Sequence, residues 1–181
     1  MNQEFRTFIT MLETATSRIR HDYFQLPVCD ADAMYRERVY CYELYHQLRC
    51  LFDELADEFP FSLGGEVDKT GHPLFRDGPY PRAKPDLLVH EPGSMSRNLA
   101  VVEVKPATPS RADIGHDLGK LESFCDRAQY FRGVFLVYGG AGEPDELAGR
   151  VRAAADARST DLARLTCLYH RRAGEPARCV L

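Results

Sequence analysis

Residues able to handle a phosphate ester lie close together in the middle of this sequence: carboxylates at Asp86 and Glu103 and an ammonium at Lys105. Asp86 follows Pro85 and opens the apolar run Leu87-Leu88-Val89, while Glu103 and Lys105 flank Val104 at the end of a second apolar run that begins at Leu99. A run of β-branched residues bounded by turn residues reads as a strand covered on both faces. Successive strand side chains alternate, so Glu103 and Lys105 project together while Val104 points into the core. Antiparallel pairing across the polar turn between Gly93 and Asn98 would set Asp86 beside Glu103. Two hard anionic donors with an ammonium fit a divalent cation, Mg²⁺ or Mn²⁺, held against a phosphate. Glu-x-Lys and Pro-Asp are each common, and on a structural strand they would make only a surface ion pair. Their context separates the two readings: both lie on strand-like runs, in order, one hairpin apart.

The elements that must position these groups are legible as patterns. Phe5, Phe8, Ile9, Leu12, Ala15 and Ile19 recur at helical spacing over residues 2–20, which predicts an amphipathic first helix. Residues 21–33 read as a connecting loop in which Asp32 could cap the next helix. The longest helical pattern covers residues 33–59, with Val39, Leu44, Leu48, Leu51 and Leu55 as its stripe. Glu43 lies at the edge of that stripe, where a carboxylate is costly unless paired or bound to a cation; Gln47, one turn on, shares its face. A solvated or arginine-paired glutamate is the plainer alternative for Glu43.

Residues 61–67 predict a first strand with a glycine bulge or turn, followed by a turn over 68–71. Glu66 there is either a second-tier metal ligand or an edge-strand acid. The irregular stretch 72–84 delivers Arg76, Arg82 and Lys84 just before Asp86, cations that could hold a nucleic-acid backbone or simply solvate a loop. Past Lys105, Asp113 is the expected cap of a helix running to about residue 130, with Ile114, Leu118, Leu121, Phe124, Cys125 and Ala128 as its inner stripe and Asp117 and Lys120 off it. A buried strand over 133–138, a helix over 145–157 and a last strand near 165–169 complete the reading.

At 181 residues with a formal charge of −4, the chain is the size of one domain and is not a broadly basic nucleic-acid coat. No apolar run approaches a membrane span, and the first residues lack a basic segment leading into an apolar one. Six scattered cysteines show neither zinc spacing nor a disulfide framework, so reduced thiols in a cytoplasm are expected. No Walker loop, dinucleotide glycine fingerprint, Gly-x-Ser-x-Gly elbow or paired histidine spacing is present, and His46, His90 and His116 read as ordinary polar positions.

Pro85-Asp86 followed by Glu103-Val104-Lys105 resembles the signature of the PD-(D/E)XK nuclease superfamily, the restriction-endonuclease-like fold. The resemblance implies an α/β chain of the α+β type: a mixed central sheet whose antiparallel hairpin carries the site, flanked by helices in the order αβββαβ. It covers residues 33–138, with 1–32 as a helical extension and 140–181 as a helix–strand extension of a single domain. It implies Mg²⁺ held by Asp86, Glu103 and the Val104 carbonyl, Lys105 assisting the attacking water, Glu43 as the acid from the preceding helix, and Lys120 as a polar residue offered by the second helix. The implied activity is phosphodiester hydrolysis of DNA more than RNA, with a homodimer or a partner subunit as company and a defence role as setting. An inactive nuclease-fold module that binds nucleic acid or a protein, and a hydrolase of small phosphoesters, are the rival readings. As a strand-end lysine, Lys105 is expected to be exposed and to cost little stability when changed to alanine.

Overall fold

The computed structural model describes residues 2–55, 58–67, 73–94 and 96–181; the turn expected over 68–71 lies outside them. The chain opens with α1 (Asn2–Ser17) and a single turn α2 (His21–Phe24), then a separate hairpin of β1 (Leu26–Val28) and β2 (Ala31–Met34). After α3 (Glu37–Glu54) come β3 (Ser62–Gly65), a short turn α4 (Pro73–Arg76), β4 (Leu87–His90) and β5 (Asn98–Pro106). The chain continues through α5 (Arg111–Arg127), β6 (Arg132–Tyr138), α6 (Pro144–Arg158), β7 (Leu165–His170) and β8 (Arg178–Cys179). The protein is a mixed α/β chain with one six-stranded sheet, ordered β3-β4-β5-β6-β7-β8.

Pairing in the sheet is antiparallel from β3 to β5, parallel from β5 to β7, and antiparallel again at β8. Parallel neighbours need a crossover, and α5 and α6 supply the two of them. One face buries Val102, Val104, Val134, Leu136 and Leu168 beneath α1 and α3. The other buries Val101, Phe135, Val137 and Cys167 with the stripes of α5 and α6. Covered on both sides, β5 has Leu99, Ala100, Val101, Val102 and Val104 at 0% exposure, and each such valine or leucine contributes roughly 1.5–3 kcal/mol. Gly133 sets how near α5 can come: a Cβ there would fall 2.6 Å from Leu165 Cδ2 and 3.0 Å from Leu121 Cβ.

Several boundaries differ from the sequence reading. Residues 26–34 form a hairpin, not a plain loop, because their pairing is backbone-made; Ala31 and Asp32 on β2 are exposed and carry no apolar signal. Asp32 therefore caps nothing, and α3 starts later, with Arg36 at its N-cap and no side-chain cap. The cap of α5 is Ser110: its Oγ accepts from Asp113 N, and Asp113, at the third helical position, accepts from Ser110 N. That reciprocal box gives Asp113 a supporting role where the first was expected. Among the described residues no helix is long and apolar enough to cross a membrane, and all six cysteines are free.

Candidate functional site

The β4–β5 register pairs Leu87 with Val102 and Leu88 with Val101. One step further, Glu103 points to the face that α5 covers, where Lys120 meets it, while Asp86, just outside β4, borders a groove with Cys41, Tyr42 and Tyr45 of α3. Pro85 has no N–H and cannot extend the ladder. Asp86 takes over that rung with its side chain: Oδ2 accepts a hydrogen bond of 2.7 Å from the Val104 amide. The hairpin thus brings the two carboxylates near enough for the charge of Asp86 to act on Glu103.

Around them the helices close a network of charges. Lys120 of α5 reaches Glu103 Oε2 at 2.6 Å and Asp117 Oδ1 at 3.6 Å. Lys105 reaches Glu37 Oε2, in the first turn of α3, at 2.9 Å and Asp117 Oδ2 at 3.6 Å. Lys105 therefore spans the two helical layers at the end of the sheet. Its side chain is 23% exposed, contrary to an exposed strand-end lysine, and removing it would leave the buried Asp117 carboxylate with Lys120 alone, at 3.6 Å. Glu103 is 1% exposed and Asp117 3%. Glu103 Oε1 and Asp117 Oδ2 have no hydrogen-bond partner, a costly condition for carboxylate oxygens out of water.

The electrostatics reflect that burial. Burial, then Asp86, pushes Glu103 well above the usual carboxylate range, against the pull of Lys120. Burial lifts Asp86 to about 6, although the Val104 amide opposes it. Burial also raises Asp117, against both lysines. For Lys105 burial works against the charge, but Asp117 and Glu37 outweigh it and hold the ammonium above its ordinary value; Glu103 and Asp117 do the same for Lys120. The lysines are secure cations, while burial holds Glu103, Asp86 and Asp117 above the usual carboxylate range.

The other expected residues are placed differently. Glu43 accepts a 2.7 Å hydrogen bond from Gln47, and the helix acid in the cluster is Glu37. Six residues apart, the two differ by roughly 240° around a helix, so they present different sides. Glu66 is clamped by Lys84 at 2.5 Å and Arg38 at 3.3 Å, so Lys84 is an ion-pair partner here and Glu66 is held below its usual pKa, first by the Lys84 hydrogen bond. Arg76 and Arg82 are exposed. Lys120, offered only by the resemblance, is inside the cluster. Glu37 is a member that the sequence reading does not offer, and Asp117, read as off the inner stripe of α5, is instead buried on it. Asp117 stands three residues after Ile114 and four before Leu121, a spacing that puts it on the inner stripe of α5 and is its available signal.

Among the described residues no group of three or more His, Cys, Asp or Glu is arranged to hold a metal ion. The donor set here is the pair Asp86 and Glu103, with Glu103 Oε1 unengaged. That fits Mg²⁺, which takes one or two carboxylates and keeps several waters. Neither protein-family models nor curated protein sequences match this chain.

Proposed function

We propose that this chain is a Mg²⁺-dependent phosphodiesterase of the PD-(D/E)XK nuclease type. The order α3-β3-β4-β5-α5-β6 supports the restriction-endonuclease-like core, with three antiparallel neighbours followed by a parallel strand. The observation that carries the reading is Glu103: a buried carboxylate near Asp86, one oxygen on Lys120 and the other without a partner. Four carboxyls, of Glu37, Asp86, Glu103 and Asp117, share the cluster with the two ammoniums of Lys105 and Lys120. Full ionisation leaves an excess of negative charge that a divalent cation would balance.

Asp86 and Glu103 would hold the ion, with the Val104 carbonyl as the further oxygen that the resemblance implies. A bound Mg²⁺ supplies Lewis acidity and a more acidic water. Lys105, firmly charged, stabilises the attacking hydroxide and the charge that grows on the phosphate oxygens through charge-assisted hydrogen bonds. Glu37 and Asp117 aim that ammonium. Lys120 fixes the rotamer of Glu103 and leaves Oε1 turned to the ligand. The test is metal-dependent degradation of plasmid and single-stranded DNA, with EDTA and Lys105→Met as controls. Wild type that cleaves neither DNA nor RNA in Mg²⁺ or Mn²⁺ ends this reading.

A non-catalytic nuclease-fold module is the second reading, favoured by the way the lysines and acids satisfy one another without any ligand. It predicts no cleavage and a stable larger mass in the presence of its partner.

A further inference from the structure

Beside the charge cluster, a groove of about 290 Å³ is lined by Cys41, Tyr42, Tyr45, Gly65, Glu66 and Asp86. From it we infer, resting on the nucleic-acid reading above, a subsite for one unpaired nucleobase of a single-stranded polynucleotide. The groove and the cluster are contiguous: Asp86 lines the groove, and the buried thiol of Cys41 on its floor is raised first by burial and then by the negative charges of Asp86 and Glu37. A base in the groove therefore has its phosphate beside Asp86 and within the field of Lys105.

The walls are those of a stacking site. Tyr42 is 60% exposed and, with Tyr23, is one of the two exposed large hydrophobic side chains among the described residues. Three residues on, Tyr45 shares its side of α3 and lies over Gly65, where a Cβ would meet the ring at 3.3 Å. Arg38, one turn before Tyr42, and Lys84 stand at the rim, 68% and 44% exposed. Their pairing with Glu66 is of the solvent-screened kind that contributes little, so a phosphate can replace it. Aromatic faces beside exposed cations are how single strands are held without sequence reading. The volume is at the small end for ligand pockets, about 300–1,000 Å³, enough for one heterocycle. A base stacked on Tyr42 has left its own helix, which costs unpairing and unstacking in a duplex and least in a single strand.

The test measures binding of a labelled oligothymidylate of about 12 nucleotides, its duplex, and the same backbone without bases, in Ca²⁺. The single strand is expected to bind more tightly than the duplex; Tyr42→Ala to weaken it about 5- to 150-fold; Tyr42→Phe to bind as wild type; and the base-free strand to ignore Tyr42→Ala. Unchanged binding by Tyr42→Ala, or a duplex held as tightly as the strand, overturns the subsite. Cleavage is read separately. Tyr42-dependent binding without metal-dependent cleavage sinks the nuclease and keeps the subsite, whereas duplex cleavage indifferent to Tyr42 does the reverse.

Discussion

Two buried polar clusters lie toward the same end of the sheet, and they solve the problem of burial in opposite ways. On the α3 face, Tyr40 stacks on Tyr138 with ring centroids 3.8 Å apart and bonds His170 Nδ1 at 2.8 Å, with the Phe24 ring 4.8 Å from the imidazole. Burial pushes His170 down to about 4 and Tyr40 well above its usual value, so at neutral pH every member is uncharged. On the α5 face, Glu103, Asp117, Lys105 and Lys120 keep charges or the capacity for them, with oxygens left unbonded. Well-packed apolar side chains of similar volume often match or exceed a buried ion network in stability. Tyr138 Oη in the neutral cluster is without a partner as well, so the two clusters differ in charge more than in hydrogen bonding, and it is the charge that a bound cation would offset.

The comparison is broken or sharpened by a series of variants. Lys105→Met should lower the cleavage rate by about 10²–10³-fold or more, while Lys105→Ala should also destabilise the protein by about 1 kcal/mol through the lost packing of the stem; cleavage assays and urea melts separate the two. Asp86→Asn should weaken Mg²⁺ binding at least about tenfold and yet raise stability at pH 7. Folded Asp86 keeps its proton up to about pH 6, whereas an unfolded aspartate releases it near 3.9. Between those values the native state binds more protons, so stability falls as pH rises, and above pH 6 the whole cost is present. Removing it returns on the order of 3 kcal/mol, read as a higher Tm.

The same ionisation predicts that calorimetric Mg²⁺ affinity and cleavage rise with pH through about 6 and go on rising as Glu103, held well above the usual carboxylate range, ionises, with protons released on binding. A profile flat from pH 5 to 8 would remove Asp86 from the metal site. In the neutral cluster, Tyr40→Phe should cost about 1–2 kcal/mol for the lost buried hydrogen bond and leave cleavage unchanged. The smallest effect is expected for Glu43→Gln, within about 0.5 kcal/mol in stability and without effect on rate, beside Glu37→Gln, which should slow cleavage by loosening Lys105.

Strand alternation is local, which is why β5 with Glu103 and Lys105 on one side, and the antiparallel hairpin it makes with β4, are legible in the residues alone. The stripes of α1, α3 and α5 are legible for the same reason. The hairpin at residues 26–34 and the edge strand β8 are not, because their pairing is made by backbone groups that every residue carries. Asp117 is half legible, its spacing hidden under a stripe drawn from apolar residues alone.

By itself the sequence determined the central hairpin, both carboxylates and the lysine beside them, since periods of 2 and 3.6 residues depend only on chain geometry. Only the tertiary structure decided which helix acid joins them, that Lys120 and Asp117 complete the network, and that Lys84 and Glu66 pair off. Those outcomes turn on the angle and phase at which α3 and α5 dock on the sheet. Packing across the whole core sets that phase, and no short stretch of residues contains it.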